Sequence, residues 1–142
     1  MNTTKQYLQQ YRNATNRAAR YRERIAQIEN TLLSVNIDGQ PRGGGLGDPT
    51  MRAAVSLATL KEELKTAEIE AQTLAQTIAD QIERVPDEKS RELLFCRYIL
   101  LMKWDDVARA MNKFRPFQEY ETKHIIGYLH QKALRDFEEV IK

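Results

Sequence analysis

Little in this sequence is of the kind that performs chemistry or crosses membranes. It has one cysteine, Cys96, so no disulfide can close within the chain, and a lone thiol inside an apolar run reads as a buried core residue in a reducing compartment. Its two histidines, His124 and His130, stand six apart on different faces of one helix, and no Cys-x-x-Cys or His-Glu-x-x-His spacing is present. Hydrolytic and redox sites need such groups to converge in a pocket, so no enzyme, metal or cofactor is expected. The longest apolar stretch, Leu93 to Met102, is ten residues and carries Arg97. That is half of the roughly 20 residues that span a bilayer, so no membrane segment is expected. Met1 to Gln10 is polar with no apolar stretch behind it, unlike a secretory leader, and the expected location is the cytoplasm.

Charge of one sign is also lacking. The net charge is +2 over 142 residues, divided as +3 in 1–48, −2 in 49–85 and +1 in 86–142. A nucleic-acid site would therefore have to be a local patch on an otherwise balanced surface. The hydrophobic share of 42% and charged share of 30% fit a folded chain and exclude a mostly disordered one.

What is present is helical periodicity. Tyr7, Tyr11, Ala14, Ala18, Tyr21, Ile25, Ile28 and Leu32 recur at alternating spacings of 4 and 3, a heptad stripe with Arg12, Arg17, Arg20, Arg22, Glu23 and Arg24 between its members. The stripe predicts one helix of about 30 residues, or 45 Å. A second stripe, Ala53, Leu57, Leu60, Leu64, Ala67, Ala71, Leu74 and Ile78, has the same alternation. Between them, Asp38-Gly-Gln-Pro-Arg-Gly-Gly-Gly-Leu-Gly-Asp-Pro49 is too rich in breakers for a helix. Its glycines do not make a phosphate cradle, because the run ends in Asp48 where a dinucleotide fingerprint needs Gly, lacks the Gly-Lys-Ser/Thr of a P-loop and follows no strand. The expected fold class is all-α: a long antiparallel helical hairpin over 1–85, with a Gly/Pro-rich connection at 36–50, then a small domain over 86–142.

Facing residues in an antiparallel pair have a constant sum of positions, and a sum of 85 pairs all eight layers. That register brings Ala14 and Ala18 opposite Ala71 and Ala67. Two alanine layers let helices approach closely or leave a groove, a candidate hairpin or homodimer contact.

Val85-Pro86-Asp87-Glu88 marks a new helix start, with acidic residues complementing the N-terminal dipole. That helix is expected to run to about Met102 and, with apolar residues around most of its circumference, to be the buried centre of the small domain. Trp104-Asp-Asp-Val-Ala-Arg-Ala-Met-Asn112 then supplies the first helix of a helix-turn-helix, with Trp104, Val107 and Met111 on its apolar side and Ala108 as the small residue where helices cross. Asp105 and Asp106 read as a dipole-favoured N-terminal pair. The second helix is expected to begin at Thr122, whose hydroxyl can cap it, and to be anchored by Ile126, Leu129 and Ala133.

The run Leu94-x-x-Arg97-Tyr98, Trp104-x-x-Val107-Ala108 and Ile126-x-x-Leu129-His130-x-x-Ala133-Leu134 resembles the C-terminal part of small phage-encoded regulators of Gram-positive bacteria, the RinA and ArpU types, related to the promoter-reading fourth region of sigma factors. Tyr7-Leu8, the heptad stripes and the glycine-rich middle resemble one branch of that group, so the likeness covers nearly the whole chain. The resemblance implies control of phage transcription in a host bacterial cell through double-stranded DNA near a promoter, with bacterial RNA polymerase a candidate partner.

One departure is the connection Lys113-Phe-Arg-Pro-Phe-Gln-Glu-Tyr-Glu121. Ala108 and Ile126 stand 18 positions apart, where a standard motif has about 10. Either the connection is a wing that touches phosphate through Lys113 and Arg115, or the reading geometry is lost; the helix could also begin near Phe117, after Pro116. On the DNA-reading alternative, Thr122, Lys123, His124, Tyr128 and Gln131 face base edges and Arg109, Lys113, Arg115 and Lys132 face phosphates, while Gly127 permits close backbone approach. For each of these the competing reading is ordinary solvated helix surface. Two other functions stay open: a coiled-coil adaptor whose hairpin binds a partner helix, and a DNA-recognition subunit of a phage packaging machine. A ring of many subunits would favour packaging, a monomer or dimer regulation.

Overall fold

The computed structural model describes residues 2–37, 48–113 and 120–142, and every regular element among them is helical, with no strand. The chain is all-α. In order the elements are α1 (Asn2–Leu8), α2 (Gln10–Ile37), α3 (Asp48–Glu83), α4 (Glu88–Leu94) continued by a π-helical turn (Phe95–Ile99), α5 (Trp104–Asn112), α6 (Thr122–His124) continued by a second π-helical turn (Ile125–Leu129), and α7 (His130–Ile141). No helix among the described residues is long and apolar enough to cross a membrane. They divide into two compact units, residues 14–70 and residues 1–13 with 71–142. The unit boundaries fall inside α2 and α3.

In the unit of residues 14–70, α2 and α3 run antiparallel. Arg17 meets Glu70 at 2.9 Å, Arg22 meets Glu68 at 3.3 Å and Glu29 meets Lys61 at 3.8 Å, the α3 partner falling as the α2 partner rises. These pairs are about half exposed and stabilise little. Holding power comes from the stripe between them, where Ala18, Ile25, Leu60 and Ala67 are buried and Tyr21, Ile28, Leu57 and Leu64 half-buried. Of the alanines of the expected close approach, Ala14, Ala18 and Ala67 in this unit are buried, at 1%, 2% and 3% exposure, and Ala71, in the other unit, is 9% exposed. Beside Ala67 lies an open groove of about 460 Å³ with a polar lining that includes Arg17, Glu62, Glu63 and Glu70.

The other unit holds the larger core, in which Leu8, Ile82, Leu93, Met111, Ile125 and Phe137 have no exposed surface. The helix from α1 into α2 is hydrogen-bonded through Gln9, whose N–H donates to Lys5 and whose carbonyl accepts from Asn13, both at 3.0 Å. Tyr7 packs its ring 6.0 Å from Phe137 and donates its hydroxyl to Gln81 Oε1 at 2.6 Å, pinning the start of the chain to α3 and α7. Asp87 caps α4 by accepting from the Ser90 N–H at 3.1 Å, which satisfies one of the helix's orphan donors. Ser90, itself buried, also donates to Asp136 on α7 at 2.7 Å.

The α4 helix stops short of Met102. Leu101 turns left-handed, with φ 57°, a conformation that costs a non-glycine residue about 1–2 kcal/mol. The local hydrogen bonds account for it: the Leu100 N–H reaches Phe95, the Met102 N–H reaches Cys96, and Arg97 donates to the Met102 carbonyl at 2.8 Å, locking the corner. Cys96 is buried as expected, and burial pushes its thiol up from the usual range, with help from Glu92.

Candidate functional site

The helix expected to read DNA is continuous from Thr122 to Ile141, but its middle is a π turn, closed by the His130 N–H donating to the Ile125 carbonyl. A π turn carries one more residue than an α turn and shifts which side chains face the core. Ile125 is fully buried, with Ala133, Leu134 and Phe137 below it, and Leu129 is half-buried. Ile126 is 41% exposed and is not an anchor; Ile125 takes that place. Two adjacent isoleucines gave a regular 3.6-residue period no means of choosing between them, and the extra residue in the turn decides.

The start at Thr122 holds, though its hydroxyl does not cap. Glu121 occupies the cap position without a side-chain bond, and Thr122 Oγ1 instead donates to Asp105 Oδ1 at 2.8 Å, tying the first turn of α6 to the first turn of α5. Across the long connection, the Asn112 carboxamide pairs with the Tyr120 backbone, donating to its carbonyl at 2.9 Å and accepting from its N–H at 2.8 Å. This two-bond clamp holds the ends of α5 and of the approach to α6 together. Arg115, with the rest of 114–119, lies outside the described residues.

On the solvent side, Lys123, His124, Gly127, Tyr128 and Gln131 are exposed and lie within one arc of the helix. Tyr128 is 57% exposed, with the His124 ring 6.2 Å away. Lys123 has no ion-pair or hydrogen-bond partner among the described residues. Among the described residues, a Cβ added at Gly127 would meet nothing within 4 Å. Of the expected phosphate contacts, Lys113 is exposed and Arg109 is exposed but engaged with Asp106, whose hydrogen bond raises the guanidinium's proton affinity. Lys132 is drawn into a different network, 2.8 Å from Asp136 and 3.4 Å from Asp87, and the Asp136 bond holds its pKa up. Burial raises the Asp87 carboxyl, yet hydrogen bonds from Ser90 and the Lys132 ammonium outweigh it and hold the group below the usual range. Lys132 therefore joins α7 to the cap of α4, because the expected phosphate ligand sits one turn before a carboxylate on its own helix.

Of the expected helix-crossing core, Val107 and Ala108 are buried and Trp104 is half-buried. Beneath Trp104 lies a group that no spacing in the sequence reveals. His130 is 3% exposed, its ring 4.7 Å from that of Trp104, and its Nε2 lies 2.6 Å from the Tyr98 hydroxyl. Burial, with the positive charges of Lys5 and Arg97, lowers His130 to about 4, while burial pushes Tyr98 up to about 12. A neutral imidazole and a protonated phenol thus share one hydrogen bond. Residues 32 apart make this pair, and the only hint in the sequence is that Tyr98 and His130 both stand within the apolar patterns of their helices.

Fold and surface together define an all-α protein that presents a solvent-facing polar arc on a helix anchored at Ile125. Comparison of the chain with protein-family models, curated proteins and solved structures finds no match.

Proposed function

We propose that this chain is a sequence-specific DNA-binding regulator of phage transcription, acting near a promoter, with α5 and the α6 to α7 helix as its helix-turn-helix. The observation that carries the proposal is the exposed arc of Lys123, His124, Gly127, Tyr128 and Gln131, backed by the buried Ile125 and tied to α5 through Thr122 and Asp105. That combination of rigid backing and an unengaged polar front suits insertion into a major groove. Two further features support it. The Asn112 to Tyr120 clamp gives the two helices a fixed junction despite the long connection. The π turn exposes three consecutive residues, Ile126, Gly127 and Tyr128, at a position where the backbone is bare enough for close approach. Base contacts are assigned to Lys123, His124, Tyr128 and Gln131, and phosphate contacts to Lys113 and Arg109; Thr122 and Lys132 are assigned structural roles.

The test is fluorescence anisotropy of duplex DNA selected from fragmented phage and host DNA, at low and high salt. Specific binding that weakens with salt, and that loses its sequence preference in Lys123→Ala with His124→Ala, is the expected result. Absence of binding at low salt, or unchanged affinity and preference in that double variant, would refute it. A second function, an adaptor that docks a partner through the antiparallel pair, is favoured by Leu33, Met51, Val55 and Ile69, which are 58%, 65%, 62% and 55% exposed.

A further inference from the structure

Away from the arc on α6, the unit of residues 1–13 and 71–142 gathers positive charge in one corner. Lys5 and Arg12 stand seven residues apart on a helix that is hydrogen-bonded through Gln9. Two turns of helix place them on one face, about 10 Å from one another. Arg97 comes to the same neighbourhood from the π turn after α4. Its guanidinium carbon lies over the Trp104 ring, 4.4 Å from the centroid, and one nitrogen donates to the Met102 carbonyl at 2.8 Å. Arg12 acts on Arg97, and two of the three cations act on the histidine beneath. Burial lowers the proton affinity of Arg97, and Arg12 lowers it further; Lys5 and Arg97 both act on His130. Among the described residues, no carboxylate lies within 4.0 Å of Lys5, Arg12 or Arg97.

Folding gains nothing from bringing like charges together without a counter-ion, since each pair repels. An anion from outside the chain reverses the sign of that interaction. A guanidinium fixed over an indole and by one hydrogen bond offers further N–H donors to phosphate oxygens from a set position, and two further cations spaced along a helix match a repeating anion better than a single carboxylate.

We propose that Lys5, Arg12 and Arg97 bind the phosphodiester backbone of duplex DNA, making a sequence-independent contact additional to the base-reading arc. The proposal rests on the DNA-binding function above and adds the N-terminal helix to the DNA-contacting surface. Arg97 and Trp104 supply the fixed end of the contact, and Lys5 and Arg12 the extended one.

The experiment uses the full chain and a fluorescein-labelled duplex of roughly 30 base pairs, with anisotropy followed over a salt series from about 50 to about 200 mM. Lys5→Ala combined with Arg12→Ala is expected to reduce the slope of log affinity against log salt by about 2 and to weaken binding at least tenfold, by the same factor on every sequence. The melting temperature should not fall, because the substitutions relieve repulsion, and Lys5→Arg with Arg12→Lys should restore both slope and affinity. An unchanged slope with wild-type DNA binding intact overturns this inference and leaves the proposed function standing. A loss confined to one DNA sequence overturns it too, since a backbone contact carries no sequence information. Capture of polyglutamate that depends on Lys5 and Arg12, with no change in the DNA slope, reassigns the corner to an acidic protein partner. Failure of the wild type to bind any duplex at low salt overturns inference and function together.

Discussion

Acidification should destabilise the unit that contains Trp104, through His130. Its ordinary value of 6.5 falls to about 4 in the folded chain, because burial and the nearby Lys5 and Arg97 disfavour the imidazolium. Above pH 6.5 the imidazole is neutral in both states and contributes no pH dependence. As the pH falls from 6.5 to about 4, the unfolded chain binds a proton that the folded chain refuses, so stability is progressively lost; below about 4 both states are protonated and the loss is complete. The interval is worth about 3 kcal/mol in all, of which about 2 kcal/mol is gone by roughly pH 5. With a urea dependence of about 2 kcal/mol per molar, the unfolding midpoint should drop by about 1 M between roughly pH 7 and pH 5. Trp104, the only tryptophan, lies 4.7 Å from the imidazole, so its fluorescence reports on this unit directly. Carboxylates also titrate in that range, and the contribution of His130 is isolated by subtracting the profile of His130→Gln, which keeps an acceptor for Tyr98 but cannot ionise. Parallel profiles for the two proteins, or an NMR titration of His130 with a midpoint above about 6, would refute the reasoning.

Four other outcomes follow from particular contacts. Asn112→Ala removes both bonds to the buried Tyr120 backbone and should cost about 2 kcal/mol in chemical denaturation, with Asn112→Asp costing less because the Tyr120 N–H keeps its acceptor. At Leu101, held at φ 57°, glycine should be at least as stable as leucine, whereas valine should be less stable than glycine by more than about 1 kcal/mol in thermal melts. Gly127→Ala should raise stability by about 1 kcal/mol, since its Cβ enters open space, while weakening DNA binding measured by anisotropy if the helix backbone approaches the duplex there. Phe137→Ala, at a residue with no exposed surface, should cost about 3–5 kcal/mol by urea titration.

The periodic parts of the fold were legible in the sequence. All sixteen stripe residues, from Tyr7 to Leu32 and from Ala53 to Ile78, are buried or half-buried, and α5 spans Trp104–Asn112 as its pattern predicts. A heptad repeat is a local statement repeated many times, so single irregularities do not erase it. What escaped were events with no local signature. The π turn exchanges Ile126 for Ile125 through one extra residue, and Leu101 ends a helix in a conformation usually given to glycine because Arg97 and two backbone bonds hold it there. Lys132 stands on the expected surface, yet Asp87 and Asp136 claim it, and the first of these is 45 residues away. Of the candidate base contacts, Lys123, His124, Tyr128 and Gln131 are exposed, as amphipathic spacing reports, while Thr122 is half-buried and bonded to Asp105; what touches that surface is a matter of partner chemistry, which periodicity does not encode.

The Asn112 clamp concentrates the junction of two helices in one residue. Its two bonds tie the last turn of α5 to the approach to α6 through a single side chain. Losing that side chain therefore loosens two helix ends at once, and Asn112→Ala should lower amide protection in hydrogen exchange at both the end of α5 and the first turn of α6.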